Sequence, residues 1–216
     1  MDFKPQGVLF DFDGTLARTM EDNFAAWKMA CADLDLALAP DDYYPLEGMN
    51  LFEIAAQYLS TAGRGPNEKQ NLVKKKEAYY LEISREKRLE FYPGVYAILE
   101  TLRVRNLPIA IVTSALSERV AKTVPPEFLS LFQAVVTGDE VRRGKPFPDP
   151  YLAGARKLNL EPCVCLAVEN APLGIKSAHA AGMRCVAVAS TLAPEKLTEA
   201  DAVIGNFKDL ETLLFN

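Results

Sequence analysis

An open α/β fold, a parallel Rossmann-like sheet interrupted by one helical insertion, is predicted by three features of the sequence. Five short apolar runs lack polar alternation: Val8-Leu9-Phe10, Ile109-Ala110-Ile111-Val112, Val164 to Val168, Val186-Ala187-Val188 and Ala202-Val203-Ile204. Strands buried on both faces of a sheet read this way. Helical periods lie between them, clearest at Val95, Ile98, Leu99 and Leu102, which share one stripe. The alternation stops between Ala17 and Phe91, where Phe24, Trp27, Cys31 and Leu34 form one helical stripe and Leu72, Tyr79, Tyr80 and Ile83 another. The chain therefore divides into an α/β core of residues 1–16 and 92–216 and a helical cap of 17–91. Arg18-Thr19 and Tyr92-Pro93-Gly94 are the expected hinges. Parallel sheets of this kind hold ligands beyond the carboxyl ends of their strands, so the residues just after each run are where chemistry is expected.

Composition narrows the partners. A chain of 216 residues, 49% hydrophobic, can bury one substantial core and a smaller module. Its 24 basic and 29 acidic residues give a net charge of −5, which offers no electrostatic footprint for nucleic acid or an anionic membrane. The apolar runs fall far short of the roughly 20 residues of a membrane span, and Met1-Asp2-Phe3-Lys4-Pro5-Gln6 lacks a signal-peptide pattern. A cytoplasmic protein is expected. Cys31, Cys163, Cys165 and Cys185 have no metal-ligand spacing with a histidine and read as reduced core thiols. The single histidine, His179, sits in a helix-like segment and reads as structural, which excludes chemistry needing several imidazoles. The Lys74-Lys75-Lys76 and Arg85 to Arg88 clusters read as solvated helix faces, although a lid over an anionic substrate would also use lysines. No internal repeat is present.

Four pieces at strand ends carry chemistry. Asp11-Phe12-Asp13-Gly14-Thr15 follows the first run with two carboxylates one residue apart. Such a pair needs a cation or a shared proton, and magnesium accepts oxygen ligands of this kind. Thr113-Ser114 ends the second run and offers two hydroxyls to an anion. Lys145 stands in a segment stiffened by Pro146, Pro148 and Pro150, a mount that reduces the entropy lost in aiming it. Glu169-Asn170 ends the Val164 to Val168 run ahead of a helix start at Pro172. Each piece alone has a bland reading as turn, loop or surface charge; their order and placement make it hard to sustain.

These motifs resemble those of the haloacid dehalogenase superfamily. Gly144-Lys145-Pro146, Pro148-Asp149-Pro150 and the Gly174-Ile175 to Ala181-Gly182-Met183 segment are similar to its branch of beta-phosphoglucomutases and small-metabolite phosphatases. The resemblance implies that Asp11 takes up a phosphoryl group and that Asp13 is the general acid and base, its main-chain carbonyl also reaching the metal. It implies that Thr113 or Ser114, with Lys145, holds the phosphoryl oxygens, and that Asp11, Asp13, Glu169 and Asn170 hold Mg2+. Two departures stand out. Asn170 replaces an aspartate found in much of the family, and Leu51 stands where the cap loop of the mutases has a phosphate-gripping arginine. The second counts against phosphoglucomutase-like exchange, which remains the alternative together with non-catalytic phospho-ligand binding. Dehalogenation is disfavoured by Asp13, as is phosphonate cleavage. Glu47, Asn50 and Lys76 are the candidate cap contacts to substrate. A monomer hydrolysing a small phosphorylated metabolite is expected.

Overall fold

The computed structural model describes residues 3–215. Its sheet consists of β1 (Gly7–Phe10), β2 (Ile109–Val112), β3 (Ala134–Val136), β4 (Cys165–Glu169), β5 (Arg184–Val188) and β6 (Ala202–Ile204), all parallel, in the order β3-β2-β1-β4-β5-β6. Strand β3, Ala134–Val136 at one edge of the sheet, adds one to the five expected. Between β1 and β2 lie α1 (Met20–Ala32), α2 (Pro40–Tyr43), α3 (Leu51–Thr61), α4 (Lys69–Arg85) and α5 (Val95–Val104). Helices α6 (Ser117–Thr123) and α7 (Pro126–Leu129) lead to β3, α8 (Asp149–Lys157) to β4 and α9 (Pro172–Ala180) to β5, and α10 (Phe207–Phe215) follows β6.

Residue alternation along the strands sorts the core into two faces. Val8, Phe10, Ile109, Ile111, Leu166 and Val168 pack with α5 and α10, whereas Leu9, Ala110, Val112, Ala167, Cys185 and Ala187 pack with α8 and α9. The second face is built of smaller residues, and α8 lies close upon it. A Cβ on Gly154 would stand 2.5 Å from Leu9 Cδ2 and 3.0 Å from Val112 Cγ2. In register, Phe10 faces Ile111 on one side and Val168 on the other, so Asp11 and Glu169 leave neighbouring strands at the same level. The strand order reverses between β1 and β4, the position where such sheets open a crevice.

The helices from Met20 to Arg85 have a core of their own, containing Trp27, Cys31, Ile54, Leu59, Leu72 and Val73. The chain enters and leaves this segment along two adjacent passes: Arg18 N–H donates to Glu90 C=O (2.8 Å) and Tyr92 N–H to Leu16 C=O (3.0 Å). The expected stripes face inward in part. Trp27, Cys31, Leu72 and Tyr80 are buried, while Phe24, Leu34, Tyr79 and Ile83 are half-buried. Phe24 stacks on Tyr43, and the Tyr79 hydroxyl bonds to Asp33.

Two expectations need correction, on the thiols and on the lysine run. Of the four free thiols, Cys31, Cys165 and Cys185 are buried, but Cys163 is exposed in a single 3-10 turn ahead of β4. The lysine run divides by helical rotation: Lys74 is exposed, Lys75 pairs with Asp33 at 2.7 Å, and Lys76 is fully buried. His179 is exposed, with Nε2 3.0 Å from Asp201 Oδ2, tying α9 to the segment before β6. Among the described residues no helix is long and apolar enough to cross a membrane.

Candidate active site

Strand pairing persists to the first motif, because Asp11 N–H donates to Val168 C=O at 2.9 Å. The buried Lys145 ammonium lies 2.6 Å from Asp11 Oδ1 and 2.6 Å from Glu169 Oε1, and donates to the Val112 carbonyl at 3.2 Å. Burial pushes the Asp11 carboxyl up to about 7, aided by repulsion from Glu169 and opposed by Lys145. Burial alone would lower Lys145, but the two carboxylates override it and hold the ammonium charged. Glu169 was expected among the metal ligands, and its carboxylate lies beside Asp11 and Lys145. Its Oε1 accepts from Lys145 and from Tyr151 (2.8 Å), and its Oε2 from the main-chain N–H of Asn170 (3.1 Å) and Ala171 (3.4 Å). Through its Oε1 contact Glu169 orients the Lys145 ammonium.

Thr15 and Asn170 sit on the other side of Asp11. The Thr15 hydroxyl has acceptors at 2.8 Å (Asp11 Oδ2) and 3.1 Å (Asn170 Oδ1). A hydroxyl has one proton, so these two oxygens converge on a single point. Asn170 Nδ2 donates to Glu47 Oε2 (3.1 Å) and Thr191 Oγ1 (2.9 Å), and Thr191 Oγ1 donates to the same Glu47 oxygen (2.9 Å). Glu47 Oε1 is buried and has no partner. Burial, with repulsion from Asp11 and Glu169, pushes Glu47 up to about 7 against the hydrogen bonds from Thr191 and Asn170.

Among the described residues no three acidic, histidine or cysteine side chains form a metal cage. Magnesium commonly takes only one or two carboxylates and completes its shell with water and substrate phosphate. The Asp11 and Asn170 oxygens that meet at the Thr15 hydroxyl, and the nearby Glu47 carboxylate with one oxygen unpartnered, are donors of the kind that ion takes.

Asp13 is clamped. Its Oδ1 accepts from Thr19 (2.6 Å) and Asn23 (3.3 Å), and its Oδ2 from Thr113 (3.2 Å) and Arg119 Nη2. Burial pushes this carboxyl upward, yet the Arg119 charge and these bonds prevail and hold it at about 2. Arg119 is buried, and its Nε and Nη1 have no partner; its guanidinium lies 4.5 Å from the centre of the Tyr80 ring. Lys76 Nζ bonds Asn23 Oδ1 and Glu77 Oε1, each at 2.8 Å, and burial lowers its pKa.

The two expected phosphate-binding hydroxyls differ. Thr113 is engaged with Asp13 and with Ala115 N–H, whereas Ser114 Oγ faces the cap and donates to the Gly48 carbonyl (2.6 Å). Ser114, Asp11, Asp13, Lys76, Arg119 and Leu51 border a cavity of about 40 Å³ between cap and core. Among the cap candidates, Glu47 and Lys76 reach the site. Asn50 instead caps α3, its Oδ1 accepting from Phe52 N–H at 2.9 Å. Sequence reasoning missed Arg119, Asn23, Thr19 and Thr191. Only the proximity of Thr19 to the first motif and of Arg119 to the second could have hinted at them.

A family model described as haloacid dehalogenase-like hydrolase matches residues 8–188. Protein CbbY of Rhodobacter capsulatus is 32% identical over 205 residues, covering 91% of this chain and 88% of that protein. Hexitol phosphatase A of Escherichia coli (strain K12) is 30% identical over 212 residues, covering 95% and 93%. Beta-phosphoglucomutase of Bacillus subtilis (strain 168) is 29% identical over 211 residues, covering 95% and 91%. A solved hydrolase from Pseudomonas syringae has a TM-score of 0.86 at 26% identity, covering 96% of this chain and 97% of that one. Because the family match runs from β1 through β5 and takes in the helical insertion, the chain belongs to the haloacid dehalogenase-like hydrolases, in the branch of beta-phosphoglucomutases and small-molecule phosphatases.

Proposed function

We propose that the protein hydrolyses a small phosphate monoester, of the phosphorylated sugar or polyol class, using magnesium and an aspartyl-phosphate intermediate on Asp11. The observation that carries this reading is the Lys145 ammonium held between Asp11 and Glu169 at the switch point of the sheet, with Asp13 two residues beyond the nucleophile. The substrate class is supported by relatives named for a hexitol phosphatase and a phosphoglucomutase. Asp11 attacks phosphorus, the ester P–O bond breaks, and the leaving oxygen takes a proton from Asp13. Water then attacks the phosphorus of the aspartyl phosphate, Asp13 accepts its proton, and the bond to Asp11 breaks to release inorganic phosphate. Lys145 and Ser114 hold the phosphoryl oxygens. Asp11, Asn170 and the main-chain carbonyl of Asp13 would hold magnesium, which would supply positive charge that lets one anion approach another.

The site must open to work. A cavity of about 40 Å³ holds water but lies far below the ~300 Å³ of a small-ligand pocket. The helical segment 17–91 acts as a cap that swings on the paired passes around Ala17 and Phe91, then closes and excludes bulk water. Asp13 cannot donate a proton while Arg119 holds it ionised, so substrate arrival must loosen that pair. The free thiols suit a reducing cytoplasm.

The test is phosphate release from a panel of sugar phosphates, polyol phosphates, nucleotides and phosphoacids, with and without magnesium. The expected result is magnesium-dependent release on wild type and none on Asp11→Asn. Release that survives this substitution overturns the assignment of the nucleophile. Silence across the panel from a folded protein that still binds phosphate overturns the hydrolytic reading.

A further inference from the structure

The carboxylate that the fourth motif lacks enters the site from the cap. Glu47 precedes α3 and lies 123 residues from Asn170 in sequence, yet its Oε2 is 3.1 Å from Asn170 Nδ2. The residue is 2% exposed. Its other oxygen has no hydrogen-bond partner, and the carboxylates of Asp11 and Glu169 lie near enough to repel it. A buried carboxylate with one unpartnered oxygen, repelled by two others nearby, is unfavourable unless a cation offsets their charge. The residue at 170 decides whether Glu47 can be there. An aspartate would bring two carboxylate oxygens to the spacing now bridged by an amide proton, whereas Asn170 gives its Nδ2 to Glu47 and keeps Oδ1 beside Asp11 Oδ2 across the Thr15 hydroxyl. The loop is docked beyond this one contact: Ser114 bonds the Gly48 carbonyl, and Met49 pairs with Lys145 through the main chain.

We infer that Glu47 belongs to the magnesium site: on closing, the cap supplies the carboxylate charge that Asn170 lacks, so cation binding and cap closure favour each other. This rests on the magnesium-dependent reading above. The linkage is reciprocal, because a cation that prefers the closed cap must stabilise it by the same factor. A cap without its cation leaves Glu47 facing Asp11 and Glu169 unbalanced, which favours opening.

The test uses Mn2+ as the probe, with binding read from the resonance signal of the free ion and compactness from small-angle X-ray scattering. Glu47→Gln keeps the shape and removes the charge, and is expected to weaken Mn2+ binding about 10- to 100-fold. The double variant Glu47→Gln with Asn170→Asp moves the charge from cap to core. It is expected to bind Mn2+ within about threefold of wild type. Wild type should become more compact on adding Mn2+, and the double variant should not. Glu47→Gln binding as tightly as wild type, or a double variant that still compacts, overturns the inference. Should Glu47→Gln fail to fold, the comparison of wild type with the double variant decides alone. Wild type that binds no Mn2+, or binds it equally well as Asp11→Asn, overturns the metal reading itself and this inference with it.

Discussion

Replacing Gly174 by alanine sets helix propensity against a buried ion-pair network. Gly174 lies in the first turn of α9, and alanine is favoured over glycine in a helix by about 1 kcal/mol. A Cβ at this position would lie 1.9 Å from Glu169 Oε1, 2.0 Å from its Cδ and 2.3 Å from Oε2. No side-chain adjustment of a few tenths of an ångström relieves such overlaps. Glu169 is fully buried and held by four hydrogen bonds, from Lys145, Tyr151 and two main-chain N–H groups, so it must abandon them together. Breaking a buried ion pair costs about 3–5 kcal/mol, which after the helix gain leaves a net loss of about 2–4 kcal/mol. Urea unfolding of the metal-free protein measures this directly as a lower midpoint at unchanged slope. Turnover should fall as well, because Lys145 loses the partner that aims it. A Gly174→Ala protein as stable as wild type, the outcome that propensity alone predicts, would refute the reasoning.

Three further perturbations test other parts of the structure. Asp13 is held at about 2 against an ordinary 3.8, so its contribution to stability is present above 3.8 and is lost as pH falls through 2. Arg119→Met leaves burial to push Asp13 upward, which reverses the sign; in metal-free protein the stability gap to wild type should widen as pH rises from about 3 to 7, and parallel urea midpoints across that range would rule this out. Asn50→Ala should cost about 1 kcal/mol through loss of the α3 cap while leaving substrate preference in place. Lys76→Met, at the cavity wall, should change preference among substrates more than it changes turnover of a minimal aryl phosphate, and equal losses on both would remove Lys76 from the substrate contacts.

Much of the core was legible because its signals are local. Val8-Leu9-Phe10 reads as a buried strand from three adjacent residues, and Asp11 follows from its place at the end of that strand. Lys145 was legible from its rigid mount and from family resemblance. Strand β3 was not picked out, although Ala134-Val135-Val136 is as long an apolar run as Ala202-Val203-Ile204; it is an edge strand whose pairing with β2 appears only in the fold. Lys76 misled in a different way: three adjacent lysines look alike in sequence, but helical rotation sends Lys74 to solvent and Lys76 into the site beside Trp27 and Tyr80.

The sequence by itself determined the order of strands along the chain, the helical insertion and the four strand-end motifs, since these depend on periodicity and on neighbours within a few residues. Tertiary structure alone decided how the charges pair. Glu169 went to Lys145, Arg119 to Asp13 across 106 residues, and Glu47 to Asn170 across 123. The reason is physical: each of these side chains is buried, and a buried charge takes its partner from whatever the fold brings within about 3 Å, a distance that sequence separation does not encode.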